Sequence, residues 1–431
     1  MLCEGLLRRM ALDVTPLRTS RDYRLLFAAS GVSGFGSFIT YVTIPFQVYA
    51  LTDDPLLVGL LGVCELVPLL FMAFVGGALA DYLDRRALVL GAEVAFTALC
   101  GVLLVNALLD RPHLWLLYLV AGLTAAIDGI QRPALEGSRR ASSSPTRSRR
   151  PARSTGCGCR SPSSPPRARR GADRLDRHGL GVRGRPRHVR VLAGVPVADQ
   201  GGATPPDAER PSLRSVVTGL RYARSRPELL GTYLVDINAM FFAMPQALYP
   251  FMAGRLGGPA VLGLLYAAPA VGSLLATVTS GWTGRVHRHG LMVVIAAGLW
   301  GVGIIGFGLA NSLWLALLCL AFAGAADMVS GIFRMTIWNQ TIPDHLRGRL
   351  AGIEMISWAT GPLLGQLRSG VAARYMGIGG SVISGGILCV AGTLALAAAM
   401  PAFLRYDGRD GAAKKKTADE EWAARASTSV A

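Results

Sequence analysis

The sequence predicts an all-α polytopic membrane protein, and its composition, its long apolar runs and an internal repeat all support that fold class. Of its 431 residues, 51% are hydrophobic and only 16% are charged, a balance too apolar for a water-soluble domain. A lipid interior offers the backbone no hydrogen-bond partners, so long apolar runs are expected to cross it as helices.

Ten apolar runs reach the ~20 residues that a helix needs to cross the hydrocarbon core of a bilayer. They lie at Leu25–Leu51, Leu56–Ala80, Ala87–Leu109, Leu114–Gln131, Leu229–Ala253, Pro259–Trp282, Gly290–Ala310, Leu313–Trp338, Ala351–Ala373 and Ile378–Leu404. Each run is rich in Leu, Val, Ala and Gly, and is predicted to be one transmembrane helix.

The chain also nearly repeats itself. Ala121–Gly122 recurs at Ala323–Gly324, and Gly129–Arg132 recurs as Gly331–Arg334, both at a spacing of 202 residues. Two diverged copies of one helical unit explain such a spacing, and they predict two six-helix halves.

The repeat is broken in the middle of the chain. The last two apolar runs should have counterparts near residues 149–171 and 176–202, but that region is rich in Arg, Ser and Pro. Residues 137–203 hold sixteen Arg and three Asp, which gives +13 of the net charge of +17. The basic charge is therefore local, and it does not indicate nucleic-acid binding by the whole protein.

Three interpretations of this segment compete. It is a disordered basic linker, a tail that binds acidic lipid or nucleic acid, or an out-of-frame translation of two lost helices. The third is favoured, because shifting the frame by one base across 180–203 permits an apolar helix when third bases are chosen freely. A shift of two bases across 153–164 does the same, and the original frame returns after about Thr204. Three single-base deletions would produce this series.

Positive residues predict a multi-pass protein of the cell membrane with both termini cytoplasmic. They concentrate before the first run, at Arg85–Arg86, before Leu229, at Arg347 and Arg349, and at Lys414–Lys416. Loss of two consecutive helices keeps this parity. The predicted organisation is a cytoplasmic lead (1–24), a four-helix half (25–136), the disordered Arg-rich segment (137–204), a linker (205–228), a six-helix half (229–404) and a cytoplasmic tail (405–431).

A loop motif follows the second run. Gly77, Asp81 and Arg85–Arg86 are spaced by three residues each in the stretch GGALADYLDRR, which resembles the loop signature of the major facilitator superfamily. The resemblance implies that Gly77 allows close helix approach, that Asp81 caps and pairs across the bundle, and that the arginines tether a cytoplasmic gate. Tyr82 and Asp84 depart from the family pattern.

The resemblance covers residues 20–136 and 205–405, and 248–281 is similar to the branch that includes enterobactin exporters and actinobacterial drug-efflux proteins. It implies a monomeric, proton-coupled secondary transporter in the lipid bilayer that exports a small amphipathic molecule. No cofactor, enzymatic activity or nucleic-acid partner is expected. Because the fifth and sixth helices are missing, this chain is predicted to transport little or nothing.

Ionisable residues inside apolar runs are costly unless they are paired or hydrated, so each is a functional candidate. They are Glu65, Glu93, Asp128, Asp236 and Asp327, with Arg132 and Arg334 near the cytoplasmic ends of their helices. Glu93 is expected to be structural because it lies close to a loop. Asp128 and Arg132 are four residues apart, and Asp327 and Arg334 are seven apart, so each pair lies on one helix face. For Asp128 and Asp327 a proton or substrate role and a static ion pair stay equally open, while Glu65 and Asp236 favour function.

The sequence also limits the alternatives. Lysine occurs only at 414–416, so no phosphate-binding loop with its Lys is present, and no metal or disulfide framework is indicated. Two other functions stay open: a membrane-anchored interaction protein whose basic loop binds anionic lipid or nucleic acid, and a non-transporting scaffold.

Overall fold

The computed structural model describes residues 38–82, 85–143, 221–342 except Ala223, 347–409 and scattered positions of the tail up to Glu420. Within these residues the chain is almost entirely helical, with one isolated antiparallel bridge between Arg288 and Asp407. Seven described helices are long and apolar enough to cross a membrane. The chain is thus an all-α polytopic membrane protein.

Four helices form the part of the first half that is described. They are α1 (Phe38–Thr52), α2 (Pro55–Tyr82), α3 (Arg85–Leu108) and α4 (Leu114–Ser143). The predicted run Leu25–Leu51 begins outside the described residues, so α1 is shorter than a span. The helix α4 continues to Ser143, beyond the predicted end at Gln131 and into the first residues of the segment expected to be disordered. The rest of that segment, to 204, lies outside the described residues.

The second half begins with a broken helix. Its first part is α5 (Pro227–Phe242), and its second part is a 3-10 turn followed by α6 (Tyr249–Leu256). The uninterrupted run predicted over Leu229–Ala253 is therefore broken in the structure. Pro245 has no N–H to continue the helix, which accounts for the break at Ala243–Pro245.

The remaining helices of the second half are α7 (Leu262–Val278), α8 (His289–Leu309), α9 (Leu313–Thr341), α10 (Arg347–Ala399) and the short α11 (Pro401–Leu404). Ser312 caps α9 by accepting a hydrogen bond from the N–H of Leu315 at 3.4 Å. Within α10, Gly377 has φ 76°, and this break separates the predicted runs Ala351–Ala373 and Ile378–Leu404.

Helix packing repeats between the halves. The helix α2 packs on α4, and α7 packs on α9 in the same way, while α8 and α5 both pack on α10. The halves meet where α2 packs on α10. Because consecutive helices alternate in direction, the bundle has an Asp54 end, where α1 joins α2, and an Arg85 end, where α2 joins α3.

Candidate functional site

Arg334 is the centre of a charged network in the second half. Its Nη1 is ion-paired with Oδ1 of Asp236, and its Nη2 lies 3.5 Å from Oδ1 of Asp327. The side chains of Arg334 and Asp236 are only 12% and 5% exposed, whereas that of Asp327 is 39% exposed. One buried arginine thus holds one buried and one accessible carboxylate.

Two helices bring this network together. Asp327 and Arg334 lie two turns apart on α9, on the single face that their spacing predicted, and Asp236 comes from α5. The two helices are also joined nearer the Arg85 end, where Nε1 of Trp338 donates to Oγ1 of Thr232 at 2.9 Å. Beyond them, Glu354 of α10 interacts electrostatically with Arg334. The two helices that carry the network are therefore joined by a hydrogen bond as well as by the buried ion pair.

The first half brings two carboxylates together instead. Glu65 of α2 lies within electrostatic range of Asp128 of α4. Glu65 also interacts electrostatically with the phenol groups of Tyr41 and Tyr266. The groups within its electrostatic range thus include a second carboxylate and two phenols, one of them from the other half.

A junction of aromatic and polar side chains joins the halves beside Glu65. The hydroxyl of Tyr41 donates to Oε1 of Gln246, and the ring of Tyr41 meets that of Tyr266 edge-on at 5.7 Å. Tyr249 meets Tyr266 in the same way at 4.9 Å. Nearer the Asp54 end, Tyr49 packs on Phe251 with ring centroids 4.6 Å apart.

Contacts between α2 and α10 complete the connection of the halves. Gly59 and Gly62 allow α2 to approach the backbone of α10 near Leu363 and Gln366. At the Asp54 end, Nη1 of Arg374 lies 3.5 Å from Oδ2 of Asp54. On the other side of Glu65, Leu69 and Ala125 of the first half also form a buried cluster with Ala359 of α10.

The sequence candidates fall into three groups. Asp236, Asp327 and Arg334 form one network, and Glu65 and Asp128 form another. The surroundings of Gly77 and the side chains of Asp81, Arg85, Arg86 and Arg132 lie outside the described part of the structure, although the backbones of all five residues belong to α2, α3 and α4. The loop motif and the predicted pairing of Asp128 with Arg132 therefore stay predictions.

Sequence reasoning missed the tyrosines of the junction and the pairing of Asp236 with Arg334. The tyrosine hydroxyls inside apolar runs were a usable signal, since a buried hydroxyl needs a partner. The ion pair joins residues 98 positions apart on different helices, which no helix periodicity reports. Met240 and Met244 pack against Gly361 and Gly365 of α10.

Comparison with known proteins agrees with this architecture. The family described as "Transmembrane secretion effector" matches residues 12–138, and "Major Facilitator Superfamily" matches residues 232–429. Enterobactin exporters EntS of Shigella boydii serotype 4, Citrobacter koseri and Escherichia coli O1:K1 / APEC are each 26% identical to the chain. The similarity covers 89% of this chain and 93% of each of these relatives.

The family matches cover most of both helical halves, and the relatives are aligned over nearly their whole length. A transporter fold with no enzymatic role accounts for the helices, their duplication and their intramembrane charges together. The chain belongs to the major facilitator superfamily of membrane transporters.

Proposed function

We propose that the intact protein, with the reading frame of its middle segment restored, exports a small, amphipathic, siderophore-like molecule from the cell in exchange for protons. The observation that carries the proposal is the similarity to enterobactin exporters along 93% of their length. The Arg85 end is proposed to face the cytoplasm and the Asp54 end the outside, as the distribution of positive loops indicates.

Glu65 is the proposed proton-exchanging residue. It lies beside the junction of the halves, within electrostatic range of Asp128, Tyr41 and Tyr266. Two carboxylates close together in a membrane repel each other, and a proton relieves that repulsion. Binding and release of a proton at Glu65 would therefore act directly on the surface between the halves.

Arg334 is the proposed charge anchor of the second half. Its ion pair with Asp236 is buried and serves to fix α5 on α9, whereas the more exposed Asp327 is free to exchange its contact. The Nε of Arg334 is buried and has no hydrogen-bond partner among the described residues. An anionic or catechol-like oxygen of a substrate would fit that donor.

This chain as written is proposed to be impaired. The first family match ends at residue 138 and the second begins at residue 232. The interval between them contains the Arg-rich segment, where the repeat requires two helices. In the second half, the corresponding helices are the two parts of α10, which pack on α5 and α8. Without their counterparts, α1 and α3 lack the equivalent support.

The experiment is to resequence the coding DNA and express the chain as written beside a version with the frame restored. Efflux of a fluorescent or radiolabelled catecholate siderophore is then measured from cells that lack their own exporters. We expect efflux from the restored version only. An intact reading frame together with full efflux by the chain as written would contradict the impairment, and no efflux of any siderophore by either would contradict the substrate class.

A further inference from the structure

Arg368 of α10 lies at the break between α5 and α6. Its Nη1 donates to the carbonyl of Phe242, the last residue of α5, and its Nη2 donates to the carbonyl of Ser381 at 3.0 Å. The guanidinium thus bridges the end of α5 and the second part of α10. Both described hydrogen-bond acceptors are backbone carbonyls.

The break creates the need for these donors. The last carbonyls of a helix have no partner within it, and in a membrane each unsatisfied group is expensive. Pro245 makes the need greater because it has no N–H to offer. A cation is also favoured at a helix C-terminus, where the helix dipole is negative.

Glycines in both parts of α10 make room for the contact between Arg368 and the end of α5. Gly361 and Gly365 lie on the same face of α10 as Arg368 and leave room for α5 near Met240. A Cβ on Gly385 would overlap both the guanidinium of Arg368 and the carbonyl oxygen of Phe242. Gly385 therefore leaves the space that the arginine occupies.

The two parts of the broken helix have different attachments. The α5 part is held within its own half, to α9 by Asp236 and Thr232 and to α10 by Asn238, which donates to the carbonyl of Cys389. After the break, Gln246 and Phe251 contact α1 of the other half. Helix α10 also contacts the other half through Arg374 and Asp54. The break between α5 and α6 is thus a joint between a part that is fixed to its own half and a part that contacts the opposite half.

We propose that Arg368 is a positioning residue that fixes the end of α5 on α10 and thereby sets the angle between α5 and α6. The inference adds a joint to the proposed transport cycle, and it is tested without any transport measurement. Loss of the guanidinium frees α6 to change its angle while α5 stays fixed to α9. Contacts before the break should then persist, and contacts after it should weaken.

The test uses the full chain in lipid nanodiscs, with its native cysteines replaced and one cysteine pair introduced at a time. A pair at Tyr49 and Phe251 reports the contact after the break, and a pair at Thr232 and Trp338 reports the contact before it. Disulfide formation with a mild oxidant gives the rate for each pair. Arg368→Met and Gly385→Ala remove the contact from opposite sides, and Arg285→Met, at an exposed position, is the matched control.

We expect Arg368→Met and Gly385→Ala to slow the 49–251 reaction by about tenfold, as loss of a charged hydrogen bond predicts. The 232–338 reaction and the control variant should match the parent, and Arg368→Lys should be intermediate. A 49–251 rate within about twofold of the parent in both variants would overturn the inference. Failure of all three variants to fold would also overturn it, since Arg368 would then be structural support only.

Discussion

The α2–α4 pair of the first half and the α7–α9 pair of the second half share their packing but not their chemistry. Gly122 sits against the carbonyl of Cys64, and Gly324, its counterpart, sits against the carbonyl of Pro269. Two helical turns further along, a Cβ on Gly129 would stand 2.7 Å from the carbonyl oxygen of Leu69. A Cβ on Gly331, its counterpart, would have Nη2 of Arg334 as its nearest neighbour, at 3.9 Å. In the second half, the space beside Gly331 and Arg334 is therefore open.

The charges diverge at the same level. Asp128 corresponds to Ser330 by the 202-residue spacing, and Asp327 corresponds to Ala125. One half therefore places a carboxylate near Glu65, and the other places two carboxylates on Arg334. Duplication preserved the close helix contacts, and substitution at a few positions gave each half its own electrostatics.

Among these substitutions, removal of the Arg334 guanidinium should lower the unfolding free energy most. Arg334→Met leaves Asp236 buried without its cation, and we expect a loss of about 3–5 kcal/mol in unfolding free energy. Denaturant unfolding of the purified chain in detergent measures it. Adding Asp236→Asn should recover a large part of the loss, because the uncompensated charge is then gone.

Arg374→Met is the control for that variant. The side chains of Arg374 and Asp54 are 56% and 31% exposed, so solvent screens their ion pair. The expected loss in unfolding free energy is therefore about 0–1 kcal/mol. Equal losses for Arg334→Met and Arg374→Met would show that the second half does not depend on its buried pair.

Matched glycine substitutions sharpen the packing difference. Gly129→Ala should lose about 1–3 kcal/mol because its new methyl group meets the backbone of α2. Gly331→Ala should stabilise the chain by up to about 1 kcal/mol, because its site is open and Ala has the higher helix propensity. Both changes gain the same helix propensity, so thermal unfolding of the two variants isolates packing. A larger loss at Gly331 would reverse the comparison.

The smallest expected effect is at the junction of the halves. Tyr41→Phe removes the hydrogen bond to Gln246 and should lose about 0.5–1.5 kcal/mol. Tyr118→Phe removes a bond of 2.8 Å to the carbonyl of Leu57 inside the first half and serves as the control. The rate of disulfide formation between cysteines introduced at Asp54 and Arg374 should fall only for Tyr41→Phe. An equal fall in both variants would mean that the junction does not join the halves.

The sequence predicted the helices well because long apolar runs have one solution in lipid. It placed Asp327 and Arg334 on one face of α9, where the structure brings them within 3.5 Å of each other. Periodicity along one helix cannot report which other helix supplies a partner, so the role of Asp236 as the buried partner emerged only from packing. The function of Arg368 was hidden for the same reason, since it depends on a break in a different helix.

Proton exchange at Glu65 is the claim on which the difference between the halves depends most. The measurement is uptake into proteoliposomes by the frame-restored protein, driven by a pH gradient, compared with exchange of labelled for unlabelled substrate without a gradient. We expect Glu65→Gln to abolish gradient-driven uptake while exchange continues, and Asp327→Asn to weaken both. Gradient-driven uptake that survives Glu65→Gln would contradict the account.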